Sequence, residues 1–278
     1  MGYKIIMDSC GELPKQYNDD GRFISVPVEL DVNGLRIRDD ESCNQQELLA
    51  LIAQSPVCPK SSCPSPEEYC STFQADADNI FVITVSGKLS GSYNSACLGR
   101  ALYLEEHGGK NIFVIDSQSA SGGETQIALK AMELSEAGMT FDEICMELEK
   151  FRNEMNTYFV LDNLDTLRKN GRLTGVKSVV ASTLSIKPIM GAKKGSIIQI
   201  AQSIGIKKTL RKMVGILSQE CVEPLKKRVV ITHVNAQERA EYVKKLLLEI
   251  MNFKDVLILD TSGVNTMYAN DGGIIVTV

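Results

Sequence analysis

The sequence predicts an α/β protein built from two domains, and three observations carry that reading. Short apolar runs alternate with segments of helical spacing along the whole chain, no internal repeat or low-complexity tract interrupts them, and 278 residues exceed what one small core needs. The pattern restarts around Tyr158, which puts the junction of the two domains between residues 155 and 162.

Tyr3 to Met7 reads as the first strand and ends in the polar turn Asp8-Ser9-Cys10-Gly11. In open α/β sheets ligands bind at that carboxyl edge. Phe23 to Leu30 and Leu35 to Arg38 flank Asn33-Gly34, a strong hairpin signal, and Leu48, Leu49, Leu51 and Ile52 mark a short helix. The hydroxyl-bearing loop Lys60 to Glu68 follows. Within it Ser65 and Glu68 form a capping box with Pro66 at the first helical position, so Ser65 starts a helix, while Ser61 and Ser62 have no assigned structural task.

Ile80 to Val85 is a strand, and Ser86-Gly87-Lys88-Leu89-Ser90-Gly91-Ser92 joins it to a helix carrying Tyr93, Ala96, Cys97, Ala101 and Leu104. Hydroxyls therefore gather at a helix N-terminus, where unpaired N–H groups and the positive end of the helix dipole favour an anion. The simpler reading, that Ser90 or Ser92 only caps the helix, stays open on the loop alone. Asn111 to Ile115 is the next strand, followed by Asp116-Ser117-Gln118-Ser119-Ala120-Ser121-Gly122-Gly123 and a helix from Glu124 to Ala137. That turn matches neither G-x-G-x-x-G nor G-x-x-x-x-G-K-[ST], so a nucleotide site has little support. Thr140 and Glu143 form a second capping box, and Phe141, Ile144, Cys145, Leu148 and Phe151 give a helix stripe suited to core packing.

In the second half, Tyr158 to Leu161 is strand-like and Leu164 to Leu173 reads as a short helix stopped by Gly171, with Arg172 just beyond the stop. Val176 to Leu184 reads as a small-residue helix. Ile186 to Ile189 and Ile197 to Ala201 form a hairpin around Lys193-Lys194-Gly195, followed by a basic helix carrying Lys207, Lys208, Arg211 and Lys212. Strand Val229 to His233, helix Ala236 to Ile250, strand Val256 to Asp260 and terminal strand Ile274 to Val278 complete the order. The intervening Thr261 to Gly273 reads as a long polar loop, and long loops in compact domains are usually functional.

Composition limits the function. A formal charge of −5 gives no general attraction to phosphate backbones, so nucleic acid is an unsuitable partner. The N-terminus runs straight into a strand without the apolar core of a signal peptide, and no apolar stretch approaches the ~20 residues that span a bilayer. A soluble cytoplasmic protein without stable membrane insertion is expected, transient contact with a membrane surface remaining compatible. Eight cysteines at 10, 43, 58, 63, 70, 97, 145 and 221 contain no C-x-x-C and fit no common zinc spacing, so free thiols and no metal site are expected.

Taken together, Asp8-Ser9, Ser61-Ser62-Cys63-Pro64-Ser65, Ser86 to Tyr93, Asp116-Ser117 with Ser121 and Gly123, Leu164 to Arg172, and the glycine-bearing C-terminal loop resemble the DegV family from end to end. The resemblance implies a DegV-like two-domain fold. Residues 1–157 would form a doubly wound, mostly parallel sheet carrying the head-group loops, and residues 158–278 an α/β domain that closes the acyl pocket. It implies a long-chain fatty acid as ligand, no catalytic residue and no cofactor. In bacteria, members of the family serve as the FakB component of a fatty acid kinase and present the carboxylate to a separate ATP-binding subunit, FakA, for acyl phosphate formation.

Carried over, the carboxylate-binding positions are Ser61, Ser62, Ser90, Gly91 and Tyr268, and Arg172 lies near the pocket mouth or a partner contact. Ser61 stands where the family commonly has threonine, and Tyr268 where it commonly has histidine. A phenol donates a hydrogen bond but brings no positive charge near pH 7. Two other classes are weighed against this one. A serine hydrolase would use Ser86 or Ser90, yet the loop is not the G-x-S-x-G elbow and only His107 and His233 could serve as histidine bases. A lipid-sensing interaction module would use the basic helix face.

Overall fold

The computed structural model describes residues 2–17, 19–174 and 185–278; the helix expected over Val176 to Leu184 lies outside them. β1 (Tyr3–Asp8) opens the chain. The run expected to extend from Phe23 to Leu30 divides at Pro27, which lacks the N–H a ladder requires. β2 (Phe23–Val26) pairs parallel with β1, whereas β3 (Glu29–Val32) turns back into β4 (Leu35–Arg38). Asn33 and Gly34 make that turn at φ values of 56° and 85°, the left-handed pair that a two-residue hairpin loop needs.

α1 (Gln45–Gln54) is capped by the Asn44 side chain. Residues 60–62, expected in a loop, form the edge strand β5 (Lys60–Ser62) antiparallel to β3. Three polar residues are too few to display the period-two alternation that reveals a strand. α2 (Pro66–Thr72) begins at the Ser65–Glu68 capping box, with both arms of the box made. β6 (Asn79–Thr84), α3 (Ser92–Glu106), β7 (Asn111–Asp116), α4 (Gly122–Glu136) and α5 (Phe141–Glu154) follow, the last opened by the Thr140–Glu143 box.

β2-β1-β6-β7 form a parallel sheet in that order. Strand periodicity sends Ile5, Met7, Phe81 and Ile83 to one face, against Ile127 and Ala131 of α4 and Ile144 and Leu148 of α5. Ile6, Ile80 and Val82 go to the other, against Tyr69 of α2, its C-cap Phe73, and Ala96 and Tyr103 of α3. With helices on both faces, every strand residue can be apolar, and that is why these strands read as continuous runs.

The second half contains β8 (Thr157–Val160), α6 (Asp165–Lys169), β9 (Ile186–Lys193), β10 (Ser196–Ile204), α7 (Ile206–Glu220), β11 (Arg228–His233), α8 (Gln237–Ile250), β12 (Asp255–Asp260), α9 (Gly263–Ala269) and β13 (Ile274–Thr277). Its sheet runs β10-β9-β8-β13-β11-β12, with β11 and β12 parallel and the other neighbours antiparallel. α7 and α8 cover Tyr158, Val160, Val229, Ile231, Ile274 and Val276 on one face. The segment Thr261 to Gly273, expected as a loop, contains the helix α9. Its Gly263, Asn265 and Thr266 are weak helix formers, so only contacts from elsewhere in the fold can hold it.

α4 touches both sheets: it packs on β1 and β6 of the first and on β11 and β13 of the second. Eleven of its fifteen residues are buried. Close approach is possible because Gly122 has no side chain; a Cβ there would lie 2.8 Å from Val230 Cγ1 and 3.0 Å from Thr277 Oγ1. Gly122→Ala is therefore expected to destabilise the protein by about 1–3 kcal/mol through overpacking, although alanine is the better helix former. Urea denaturation measures this, and an unchanged or raised midpoint would show that the two sheets can separate to admit a methyl group.

Candidate functional site

A cavity of about 440 Å³ lies where the two sheets meet. Val28, Val85 and Leu89 from the first half and Phe159, Leu161, Leu167, Ile197, Val264 and Ile275 from the second give it apolar walls. Such a volume falls within the range of small-molecule pockets, and predominantly apolar walls with a few polar groups are their usual make-up. The polar groups include Ser61, Ser62, Ser90, Gly91, Arg172 and Tyr268, so every residue carried over from the family resemblance to the head-group site or pocket mouth borders this one space. Cys10, Cys63, Gln118, Ser119 and Asn265 border it too and were not singled out.

The short strand β5 distinguishes the two serines. Ser61 pairs with Leu30 and Ser62 with Glu29, so Ser61 shares the inward face of the fully buried Leu30 and Ser62 the opposite one. Ser61 Oγ lies 3.0 Å from Tyr268 Oη, at the last turn of α9. Burial pushes the Tyr268 phenol above its ordinary pKa, with the Ser61 hydrogen bond and the Arg172 charge pulling the other way. It therefore keeps its proton at neutral pH and can donate it.

Arg172 is stacked on Tyr268, its guanidinium carbon 5.3 Å from the ring centroid. Its Nε donates to the Leu89 carbonyl at 3.2 Å and its Nη1 to the Asn170 carbonyl at 2.6 Å. The stop at Gly171 thus places Arg172 between the end of α6 and the Ser90 loop.

Ser92 does not cap α3 with its side chain; Gly91 is the cap residue, and Ser90 Oγ accepts the Ser92 N–H at 3.2 Å. Among the described residues the Ser90 hydroxyl proton has no acceptor, which leaves it for a ligand. The Ser92 hydroxyl instead donates to buried Asp8 and lies 2.6 Å from Tyr69 Oη. Asp8 also accepts from the Val85 N–H at 3.0 Å and the Cys10 N–H at 3.1 Å, tying the start of the Ser90 loop to the end of β1. The Asp116 turn braces the same loop: Asp116 Oδ1 accepts from the Gly87 N–H at 3.1 Å, and the Ser86 N–H donates to the Ser119 carbonyl at 2.8 Å.

Beneath these loops sits a group of buried acids. Asp8, Cys10 and Glu124 place their ligand atoms within 4.8 Å of one another, and the Asp8 and Glu124 carboxyls interact directly. Burial and then the Asp8 charge push the Glu124 carboxyl well above the usual range, and burial does the same to the Cys10 thiol. The Cys10 thiol holds its proton at neutral pH and burial favours the neutral form of Glu124, which disfavours a cation among them. All eight cysteines are free thiols.

Two further acids hold α9. Asp39 accepts the Gly263 N–H at 2.6 Å and the Val264 N–H at 2.8 Å, while Glu12 accepts the Ser262 N–H at 3.1 Å and Asn265 Nδ2 at 2.6 Å. The three backbone N–H groups are the unpaired donors at a helix start, met by carboxyl groups from the other half of the chain. No sequence signal announces the pairing, since Asp39 is 224 residues from Gly263 and a lone acid in a turn ordinarily reads as solvated.

The structure bears on the hydrolase reading as well. Ser86 Oγ donates to the Gly195 carbonyl at 2.8 Å, and neither His107 nor His233 is among the residues lining the cavity. A serine nucleophile would need a base within hydrogen-bond reach. Nor is any described helix long and apolar enough to cross a membrane.

With this geometry in place, comparison with known proteins is informative. A family model described as DegV, a family of uncharacterised proteins, matches residues 3–277. A DegV domain-containing protein of Streptococcus gordonii is 33% identical over 284 residues, covering 99% of this chain and 98% of its own. Among solved structures, a DegV-family protein of Ruminococcus gnavus refined with vaccenic acid matches with a TM-score of 0.98 and 50% identity over 100% of this chain and 99% of that one. The fatty acid kinase (Fak) B3 protein of Streptococcus pneumoniae, loaded with linoleic acid, matches with a TM-score of 0.91 and 31% identity over 100% and 99%.

The acids at α9 give a pH prediction. Burial raises Glu12 from 4.5 to about 7 and Asp39 from 3.8 to about 6, so the native state binds protons more tightly than the unfolded chain does. Their contribution to stability is full below the unfolded values and is lost as pH rises through 6 to 7, on the order of 3 kcal/mol for Glu12 alone. The melting temperature is expected to fall between pH 5 and pH 8, and Glu12→Gln to flatten that fall. Thermal unfolding across this range checks it; equal slopes for the two proteins would rule out Glu12 as the cause.

Proposed function

The chain belongs to the DegV family, and on that premise we propose that it binds a long-chain fatty acid, burying the acyl tail in the cavity between its sheets and holding the carboxylate at Ser61, Ser62, Ser90, Gly91 and Tyr268. The observation that carries this reading is the lining: mostly apolar walls, with the Ser61, Ser90 and Tyr268 hydroxyls where the loop before α3 meets the end of α9. Solved relatives that hold vaccenic and linoleic acids support it. Residues 1–157 would supply the head-group loops and residues 158–278 would close over the tail, in keeping with a lining drawn from both halves.

Energetics divide the work. At about 0.8 kcal/mol per buried CH₂, a tail of about 15 methylenes gains on the order of 12 kcal/mol before ordering costs. Hydrogen bonds to a charged group contribute about 1.5–3 kcal/mol each, partly offset by desolvating the carboxylate. The tail sets affinity and the hydroxyls set position. Position matters if the carboxylate is to be phosphorylated, because transfer needs an in-line approach. The Streptococcus pneumoniae relative, a fatty acid kinase protein, supports a second part of the reading: this chain carries the substrate for a separate ATP-dependent kinase subunit and does no chemistry itself.

Mass spectrometry of the organic extract of purified protein is expected to find a long-chain fatty acid at near one-to-one stoichiometry; protein that neither carries nor takes up such an acid would defeat the proposal. Ser90→Ala is expected to weaken fatty-acid binding about threefold to tenfold while reducing acyl phosphate formation, with a FakA-type kinase subunit and ATP, by at least about a hundredfold. Unchanged phosphorylation in that variant would remove Ser90 from the head-group site.

A further inference from the structure

The described residues bury four acids and no lysine or arginine beside them: Asp8 and Glu124 are 0% exposed, Asp39 4% and Glu12 6%. All four act on Cys10, a lining residue of the cavity, where their charges add to burial in raising the thiol. Asn265 lines the cavity too and donates to Glu12 Oε1 at 2.6 Å, so one side chain separates that carboxyl from whatever the cavity holds. A ligand anion arriving there adds a like charge to buried carboxyls, and like charges in a low dielectric favour protonation.

Glu12 is the acid whose surroundings accept a proton. Asp8 receives the Cys10 and Val85 N–H groups on its two oxygens and Asp39 receives those of Gly263 and Val264, and an N–H cannot reverse its direction. Glu124 is engaged with Asp8. Glu12 Oε1 takes Asn265 and the Ser262 N–H, but its Oε2 meets a hydroxyl, Ser121 Oγ at 2.8 Å, which lies 2.7 Å from Thr232 Oγ1. A hydroxyl both donates and accepts. When Glu12 is ionised, Ser121 donates to it; when Oε2 carries a proton, it donates to Ser121 Oγ and Ser121 turns its own proton to Thr232. Ser121 and Thr232 are fully buried, so neither form depends on water. Burial already brings Glu12 to about 7, where a small added charge changes its occupancy.

We propose that the cavity takes up a proton together with its fatty-acid anion and that Glu12 receives it. The inference rests on the fatty-acid reading above and deepens it by coupling loading to pH. The proton comes from solvent, the bond formed is Glu12 Oε2–H, and the ligand is unaltered. The titratable and charged groups on every side agree with this direction. The turn after β1 brings Asp8 and Cys10, the segment before α1 brings Asp39, α4 brings Glu124, and the end of β7 brings Asp116, all of which oppose a further negative charge. α9 meets Glu12 through neutral Ser262 and Asn265. On β11, His233 follows Thr232 and so faces the other side of the sheet, where its ring bonds Gln237 and the Ala236 N–H. Arg172 is the one cation among the described lining residues, and it donates to the Leu89 and Asn170 carbonyls and to none of these acids.

The test is calorimetric titration of delipidated full-length protein with oleic acid near pH 7.5, in two buffers of different ionisation enthalpy, which together give the protons bound per ligand. Protonation of the free acid is the same for every protein and cancels in the comparison. The wild-type protein is expected to take up about half a proton more per ligand than Glu12→Gln, as a carboxyl near 7 does when a neighbouring charge raises it by about one unit. By linkage, the wild-type affinity should then fall about threefold more than the variant's between pH 7 and pH 8. Thr232→Val, near-isosteric and lacking the terminal acceptor, should also lower the uptake, and it decides the matter if Glu12→Gln does not fold. Equal uptake in the wild-type protein and the folded variants would overturn the assignment while leaving fatty-acid binding intact. Failure of the wild-type protein to bind oleic acid would instead overturn the fatty-acid reading, and this inference with it.

Discussion

Asp39 and Glu12 meet the N–H groups that open α9, and the cavity depends on that contact more than on any other polar one. A helix of seven residues with glycine, asparagine and threonine in it does not form by itself in water. Here its first turn is held by carboxylates from the first half of the chain, and its last turn carries Tyr268 to Ser61. Ser9 Oγ donates to the same Asp39 at 2.8 Å and accepts from the Val28 N–H at 3.0 Å, so the latch is continuous with the turn after β1. Each bond lost from a buried group costs about 1–3 kcal/mol, comparable to a sizeable part of a domain's net stability.

The cavity exists because two sheets share one layer. α4 is packed against strands of both, and its glycine start lets it sit close to β11 and β13. Both sheets pack on α4, and α9, the Ser90 loop and β5 contribute to the cavity lining. Polar contacts are concentrated at this junction, among them Ser121 Oγ donating to Glu12 at 2.8 Å and lying 2.7 Å from Thr232 Oγ1. Apolar side chains line the remainder. The arrangement gives one enclosure with an oily body and a rim of donors.

Much of this was legible in the residues. Continuous apolar runs gave the parallel strands, Asn33-Gly34 gave its hairpin, and the boxes at Ser65 and Thr140 gave two helix starts, because each of these signals is local. What escaped was set by distant contacts. β5 is three polar residues whose strand conformation comes from pairing with β3, and α9 is a helix against its own propensity. Pro27 was present in the sequence, yet the apolar run around it masked the break between two sheets. That the residues carried over by family resemblance would border one space was legible. Their inequality was not: Ser61 and Ser62 fall on opposite faces of one strand, Ser92 is spent on Asp8, and Arg172 lies on the ring of Tyr268.

The proposal that a ligand carboxylate sits at the junction of α9, β5 and the Ser90 loop can be tested directly. The measurement is the ¹³C resonance of oleic acid labelled at its carboxyl carbon and bound to the protein. A single bound resonance distinct from the free acid is expected, displaced by Ser61→Ala and by Tyr268→Phe. If the bound resonance is unmoved by both substitutions, the carboxylate lies elsewhere and the hydroxyls at this junction serve only the fold.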